Sequence, residues 1–237
     1  MENATYATLT RQSGLMAEMQ VVANNIANSS TTGYRAEGVI FAEYVTDLGP
    51  DHESLSMARA TGRDTDFAQG GLSATGGTFD LAIEGDAFFL VQTPNGERLT
   101  RAGHFMPNAA GDLVTAEGYP VLDAGGAPMF VPQGAGSVAI ASDGTLSADG
   151  QPLGQVGIVR PTDPSTLLRE DGVRFSTDAW EPAPEARVLQ GYLEESNVNP
   201  IAQVARMIEV QRAYELGQSF LEKEHDRISG MLNSVTR

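Results

Sequence analysis

Apolar positions near the end of the chain recur by alternating threes and fours. Val204, Met207, Gln211, Tyr214, Gln218, Leu221, His225, Ile228, Leu232 and Val235 follow the seam of a coiled coil, and seven of these ten are apolar or aromatic. The stretch from Ser196 to Val235 therefore predicts one helix of about ten turns. Asn199 can cap its first turn, and Pro200 falls at the first helical position, where a missing amide donor costs nothing. A stripe this long needs a partner just as long, and the opposite end of the chain supplies one. Between Ala4 and Asn28, Leu9, Met16, Met19, Ala23 and Ile26 keep the same seven-residue phase. Gly14 is the only strong helix weakener there, and the segment would span roughly 36 Å. Asn24, Asn25, Asn28, Ser29, Ser30, Thr31, Thr32 and Gly33 then stop this helix, because short polar side chains compete for backbone hydrogen bonds and glycine tolerates a left-handed exit.

The pattern changes between the two ends. Residues 34–68 keep no sustained period and have few strong formers apart from Val39, Ile40, Phe41, Tyr44 and Val45, which reads as a linker with short strands. From Gln69 onward, short β runs alternate with turn signals. Phe88 to Thr93 and Arg98 to Arg101, separated by Pro94, Asn95 and Gly96, predict a hairpin with an Asn-Gly turn. Leu113–Thr115, Pro120–Leu122, Met129–Val131, Val138–Ala141, Val156–Val159 and Val188–Leu193 are further runs, with turns at Asp123–Gly126, Asp143-Gly144 and Asp149-Gly150. Only Pro164–Leu168 looks helical within this region. The expected fold class is α+β. The N- and C-terminal helices (residues 1–33 and 198–237) pair as a coiled-coil-like domain, 34–68 link, and 69–197 form an all-β domain, an antiparallel sandwich or open barrel.

Charge sharpens this division. The chain of 237 residues carries 15 Lys and Arg against 31 Asp and Glu, a net charge of −16. Residues 1–30 and 198–237 are nearly neutral, so almost all of the excess acid lies in the middle. That distribution opposes nucleic-acid binding and suits ends that pack on copies of themselves beneath a solvated, mutually repelling surface. With no cysteine, neither disulfides nor thiolate metal sites operate. The opening residues lack a basic start and an apolar core, and no run approaches about 18 apolar residues, so neither a cleavable signal nor membrane insertion is expected.

Candidate chemistry is sparse. His52, His104 and His225 have no ligand-like spacing, and no metal or cofactor is expected. Asp64 with Asp66, and Glu194 with Glu195, are the carboxylate pairs that a glycan-cleaving enzyme would need, but both flank loop boundaries, where acids are ordinarily solvated. Gly70, Gly71, Gly76 and Gly77 lack the lysine of a phosphate-binding loop and open no helix. The expectation is a non-enzyme. A coiled-coil adaptor carrying a β cargo domain is the alternative from another class.

Three segments carry a resemblance. VANNIANSSTTGYR (Val22–Arg35), QGGLSATGGTFDLAIEGDAFFLV (Gln69–Val91) and ESNVNPIAQVARMIEVQRAYE (Glu195–Glu215) resemble, in order, the N-terminal, central and C-terminal signatures of the flagellar rod and hook proteins. Ala23, Asn24, Asn25, Ala27, Asn28, Gly33, Ser196, Asn197, Val198, Asn199, Gln211, Arg212 and Tyr214 match the family pattern, while Ile26, Tyr34 and Ala87 stand where it usually has Leu, Phe and Gly. The short length and the VVANNIAN form resemble the proximal-rod branch more than the distal one. The resemblance implies a structural subunit of the bacterial flagellar basal body, exported by the flagellar export apparatus without a cleaved signal. It would assemble with other copies and related rod and hook proteins into a helical tube across the periplasm that transmits torque. The helix seams, Leu9, Met16, Met19, Ala23 and Ile26 with Val204, Met207, Gln211, Tyr214, Gln218, Leu221, Ile228 and Leu232, would form the assembly interface.

Overall fold

The computed structural model describes residues 2–46 and 55–235. They divide into two units: Met1–Ala27, Ala36–Phe67 and Val198–Arg237 make the first, Asn28–Arg35 and Ala68–Asn197 the second.

The first unit holds two helices and a β ribbon. Helix α1 spans Glu2–Ala27, and α2 spans Pro200–Val235. At the start of α2 the Asn199 side chain accepts from the amide of Ala202, and its carbonyl accepts from Gln203. Pro200 therefore takes the first helical position. Strands β1 (Glu37–Thr46) and β2 (Leu55–Thr65) pair antiparallel, with a register shift after Ile40 where the Thr61 hydroxyl donates to the Ile40 carbonyl. Gly14 allows α1 to meet this ribbon closely, since a Cβ there would lie 2.8 Å from Cε1 of Phe41. The glycine that weakens helix propensity thus has a packing reason.

The second unit is β-rich and antiparallel. Its strands are β3 (Leu72–Ala74), β4 (Leu81–Glu84), β5 (Phe88–Thr93), β6 (Gly96–Thr100), β7 (Phe105–Pro107), β8 (Leu113–Thr115), β9 (Val138–Ile140), β10 (Thr145–Ala148) and β11 (Gln151–Gln155). They continue with β12 (Ile158–Pro161), a 3-10 turn at Pro164–Thr166, β13 (Leu168–Asp171), β14 (Arg174–Ser176), β15 (Trp180–Pro182), β16 (Arg187–Gln190) and β17 (Tyr192–Glu194). The largest sheet has six strands in the order β13-β14-β6-β5-β12-β15. Smaller ones pair β11-β10-β9, β16-β4, β17-β3 and β7-β8. No sheet among the described residues closes into a barrel. Leu81, Ile83, Phe89, Val91, Leu113, Val121, Leu146 and Val156 belong to a single buried cluster, a core built from the inward positions of many short strands.

Residues 34–68, expected as a linker with short strands, instead hold the long paired strands β1 and β2, and details of the β unit differ from the pattern-based reading as well. The β5–β6 hairpin turns on Pro94 and Asn95, and Gly96 is the first residue of β6 with φ 106. The Thr93 hydroxyl stabilises that geometry by accepting from the Asn95 amide and donating to the Gly96 carbonyl. The runs at Pro120–Leu122 and Met129–Val131 pair only through isolated bridges, such as Val114 with Pro120 and Asp112 with Phe130.

Candidate functional site

In the helical unit, α1 and α2 run antiparallel through a few specific contacts. The Gln12 side-chain amide donates to the Tyr214 carbonyl at 2.8 Å, Glu18 pairs with Arg206 at 2.6 Å, and the Asn25 amide lies 3.5 Å from the Gln203 side-chain oxygen. Gly217 permits the approach at Gln12, whose Nε2 would be 2.4 Å from a Cβ at that position. Arg206, bonded to Glu18 and Glu209, is held above its ordinary pKa. Asn25 is buried and works like a strand partner: its Nδ2 donates to the Glu37 carbonyl at 2.8 Å and its Oδ1 accepts from the Glu37 amide at 2.9 Å. That pair of bonds fixes the start of β1 against the end of α1.

The heptad rows take different positions. On α1, Leu9 (49% exposed), Met16 (56%) and Ala23 recur every seven residues and are open to solvent, while Met19 and Ile26 are half-buried. Along α2, Met207, Tyr214 and Leu221 are half-buried, whereas Val204, Gln211, Gln218, His225 and Ile228 are exposed. The covered alternate row on α2 is Gln203, Val210 and Gly217, one residue earlier than the seam reading places it. Ile201 and Ile208 stand exposed beside Val204. At about 100° per residue, Ile201 and Ile208 fall on the side of α2 opposite Val210, and Val204 lies between that side and Tyr214. Leu232 lies where only the backbone is described.

The β unit contains a buried ionic cluster. Glu194 is fully buried, and its carboxylate accepts from Arg35 Nη1 at 2.5 Å, Arg101 Nη1 at 3.2 Å and the Gly70 amide at 2.9 Å. Arg101 also donates to the carbonyls of Ile83 and Gly85. Burial pushes the Arg101 guanidinium down to about 10, with Arg35 adding to the fall and Glu194 opposing it. Glu194 is thus no solvated loop acid, because two arginines and a backbone amide supply what water otherwise would. Its carboxylate is committed as an acceptor, while Glu195, Asp64 and Asp66 are exposed. His104 pairs with Asp80 at 2.7 Å, and His52 lies outside the described residues. Among the described residues, no group of three or more His, Asp or Glu side chains is arranged to hold a metal, and no helix is long and apolar enough to cross a membrane.

Comparison with known proteins assigns the chain. Residues 8–35 match the family described as flagella basal body rod protein, 82–148 the flagellar hook protein FlgE/F/G D1 domain, and 189–233 the flagellar basal body rod FlgEFG protein C-terminal family. The flagellar basal-body rod protein FlgF of Caulobacter vibrioides is 41% identical, over 91% of this chain and 90% of the relative. The chain belongs to the flagellar basal-body rod proteins. FlgF of Mesorhizobium japonicum is 39% identical, again over 91% and 90%, while FlgG of Bacillus subtilis is 29% identical over 98% and 99%. Within the rod family, the chain is most like FlgF.

The rod-family signature residues have distinct placements. Ala23, Asn24 and Ala27 are exposed on α1, whereas Asn25 is buried. Asn28 accepts from the Thr31 amide and hydroxyl in the turn that follows the helix. Gly33, with φ 69, has no room for a side chain, because a Cβ would lie 2.4 Å from the Ala102 amide nitrogen. Asn197 donates to the carbonyls of Tyr34 and Ala68, Ser196 is half-buried, and Val198 is buried. Asn199 caps α2, and Gln211 and Arg212 are exposed beyond it. Sequence reasoning missed Arg35, Arg101 and Glu194 as a cluster. Their only local signal is that Arg35 closes the first rod signature and Glu194 immediately precedes the last.

Proposed function

We propose that the protein is a structural subunit of the flagellar basal-body rod, not an enzyme. In this reading residues 1–33 and 198–237 assemble with other copies and with related rod and hook axial proteins into a helical tube. The pairing is coiled-coil-like, 34–68 connect, and the acidic 69–197 region faces solvent. The tube carries torque across the periplasm, and the subunit reaches it through the flagellar export apparatus without a cleaved signal.

The observation that carries this reading is the row Leu9, Met16 and Ala23. An apolar, heptad-spaced row open to solvent on a long helix fits a surface completed by another subunit. The test is motility in cells that lack the natural protein. Leu9→Glu/Met16→Glu abolishes complementation while the purified variant keeps its helical circular dichroism. Full motility of that variant would refute the reading.

A further inference from the structure

Residues 28–35 belong to the β unit, although the chain on both sides of them, 1–27 and 36–67, belongs to the helical unit. Within the β unit this short segment is held as a bound peptide would be. The Gly33 amide donates to the Glu194 carbonyl at 2.8 Å, and the Asn197 amide donates to the Tyr34 carbonyl at 3.3 Å. Arg169 Nη2 donates to the Arg35 carbonyl at 2.6 Å. Main-chain bonds of this kind give affinity in peptide recognition, and pockets for successive side chains give specificity.

Three successive residues are each read by different chemistry. Gly33 lies against the Arg101–Ala102 backbone, where any Cβ would collide. The Tyr34 ring is buried under the Arg169 guanidinium, 4.7 Å from its centroid, and Phe175 packs on the same guanidinium at 4.9 Å. Arg35 is wholly buried and reaches the Glu194 carboxylate, which Arg101 and the Gly70 amide hold in place. The fit is incomplete, since Arg35 Nε and Nη2 and Arg101 Nε have no hydrogen-bond partner among the described residues. Buried donors left in that state weaken the hold of a bound segment.

We propose that this cleft is a recognition site for an extended Gly-aromatic-Arg segment, filled here by Gly33, Tyr34 and Arg35 and able to take the same residues from a second copy of the chain. The second copy is the occupant because it carries the identical segment between two stretches that belong to the other unit. The cleft walls, Arg101, Arg169, Phe175, Glu194 and Asn197, come from parts of the sequence distant from the segment, and Glu194 is also held by Arg101 and the Gly70 amide.

The test uses full-length protein carrying Tyr34→Ala/Arg35→Ala and a fluorescent synthetic peptide covering residues 29–37. Anisotropy shows the peptide binding to this variant and at least about tenfold more weakly to the unaltered chain, whose own segment competes. Peptides with alanine for the glycine, or lysine for the arginine, lose at least about tenfold in affinity. Mixing the variant with a Glu194→Gln copy, checked to melt cooperatively, which keeps the segment and the side-chain volume but lacks the cleft's charge, gives a mixed complex by light scattering. Equal binding to both proteins, or no binding to a variant that still melts cooperatively, overturns the proposal. If the double variant does not melt cooperatively, Arg35→Gln takes its place, and failure of the peptide to bind there overturns it equally. Peptide binding without a mixed complex overturns exchange between copies.

Discussion

In the β unit, Leu81, Phe89, Leu113 and Leu146 are fully shielded and packed in one cluster. Among the described residues of the helical unit, the buried apolar side chains are Val21, Val22, Val198 and Val210, while Leu9, Met16, Ile201 and Leu216 stand open. The β unit buries a large apolar cluster internally, although Phe130 and Leu168 at its surface stand exposed. The helical unit aligns two long helices with hydrogen bonds and ion pairs, such as Gln12 to Tyr214 and Glu18 to Arg206, and leaves much of its apolar surface uncovered. A helix as long as α2 draws little stability from propensity alone, so its open faces call for further packing. On the proposed reading, this difference puts stability and assembly in different parts of the chain, and substitutions should separate them.

The largest effect is expected at the β unit's ionic cluster. Glu194→Ala leaves Arg35 and Arg101 buried without their shared carboxylate and should cost about 3–5 kcal/mol in a denaturant titration. A change of less than about 1 kcal/mol would mean that the two cations find compensation elsewhere. Next in size is a break in α2. Ile208→Pro removes an interior helical hydrogen bond and should cost about 3 kcal/mol or more with loss of assembly, whereas Pro200→Ala at the helix start should change little. Equal assembly by both variants would contradict the observed start of α2. Gly33→Ala follows, at about 1–3 kcal/mol from overpacking against Ala102, read from the thermal midpoint. The smallest effect concerns Asp80. Burial opposes its ionisation, but hydrogen bonds from Thr75 and His104 and the charge of His104 outweigh that, so the carboxyl is held below its ordinary pKa. A depressed carboxylate contributes stability above its unfolded pKa and loses it as pH falls through the folded one. Between about pH 5 and about pH 2, the melting temperature of the unaltered protein should therefore fall more steeply than that of Asp80→Asn.

Much of the helical unit was legible because its signals are local. The Asn199-Pro200 start and the seven-residue recurrence need only neighbouring residues to be read, and so does the turn at Asn28, although Asn24 and Asn25, counted among the stop signals, still lie inside α1. Which side of each helix faces its partner was not legible. A stripe of apolar residues gives a phase but does not say whether the same chain or another one covers it. Val210 and Gly217, not Gln211 and Gln218, turn toward α1 because Gly217 lets Gln12 approach, a fact about two distant positions. In the β unit, alternation and turn glycines marked β5, β6 and β8, but strand order depends on pairings between remote segments, such as β14 with β6. Glu194 was misread for the same reason. Its environment is set by Arg35, 159 positions away, and Arg101, 93 positions away, and no local pattern records them.

Because the chain has no cysteine, a single introduced thiol reports on one position alone. The most direct measurement compares maleimide labelling of Met16→Cys in purified monomer and in isolated basal bodies, with Ala110→Cys on the β unit as the exposed control. If the open row of α1 builds the rod, Met16→Cys labels readily in the monomer and is protected in the assembled structure, while Ala110→Cys labels in both. Equal labelling of Met16→Cys in the two states would contradict the assignment of assembly to the terminal helices.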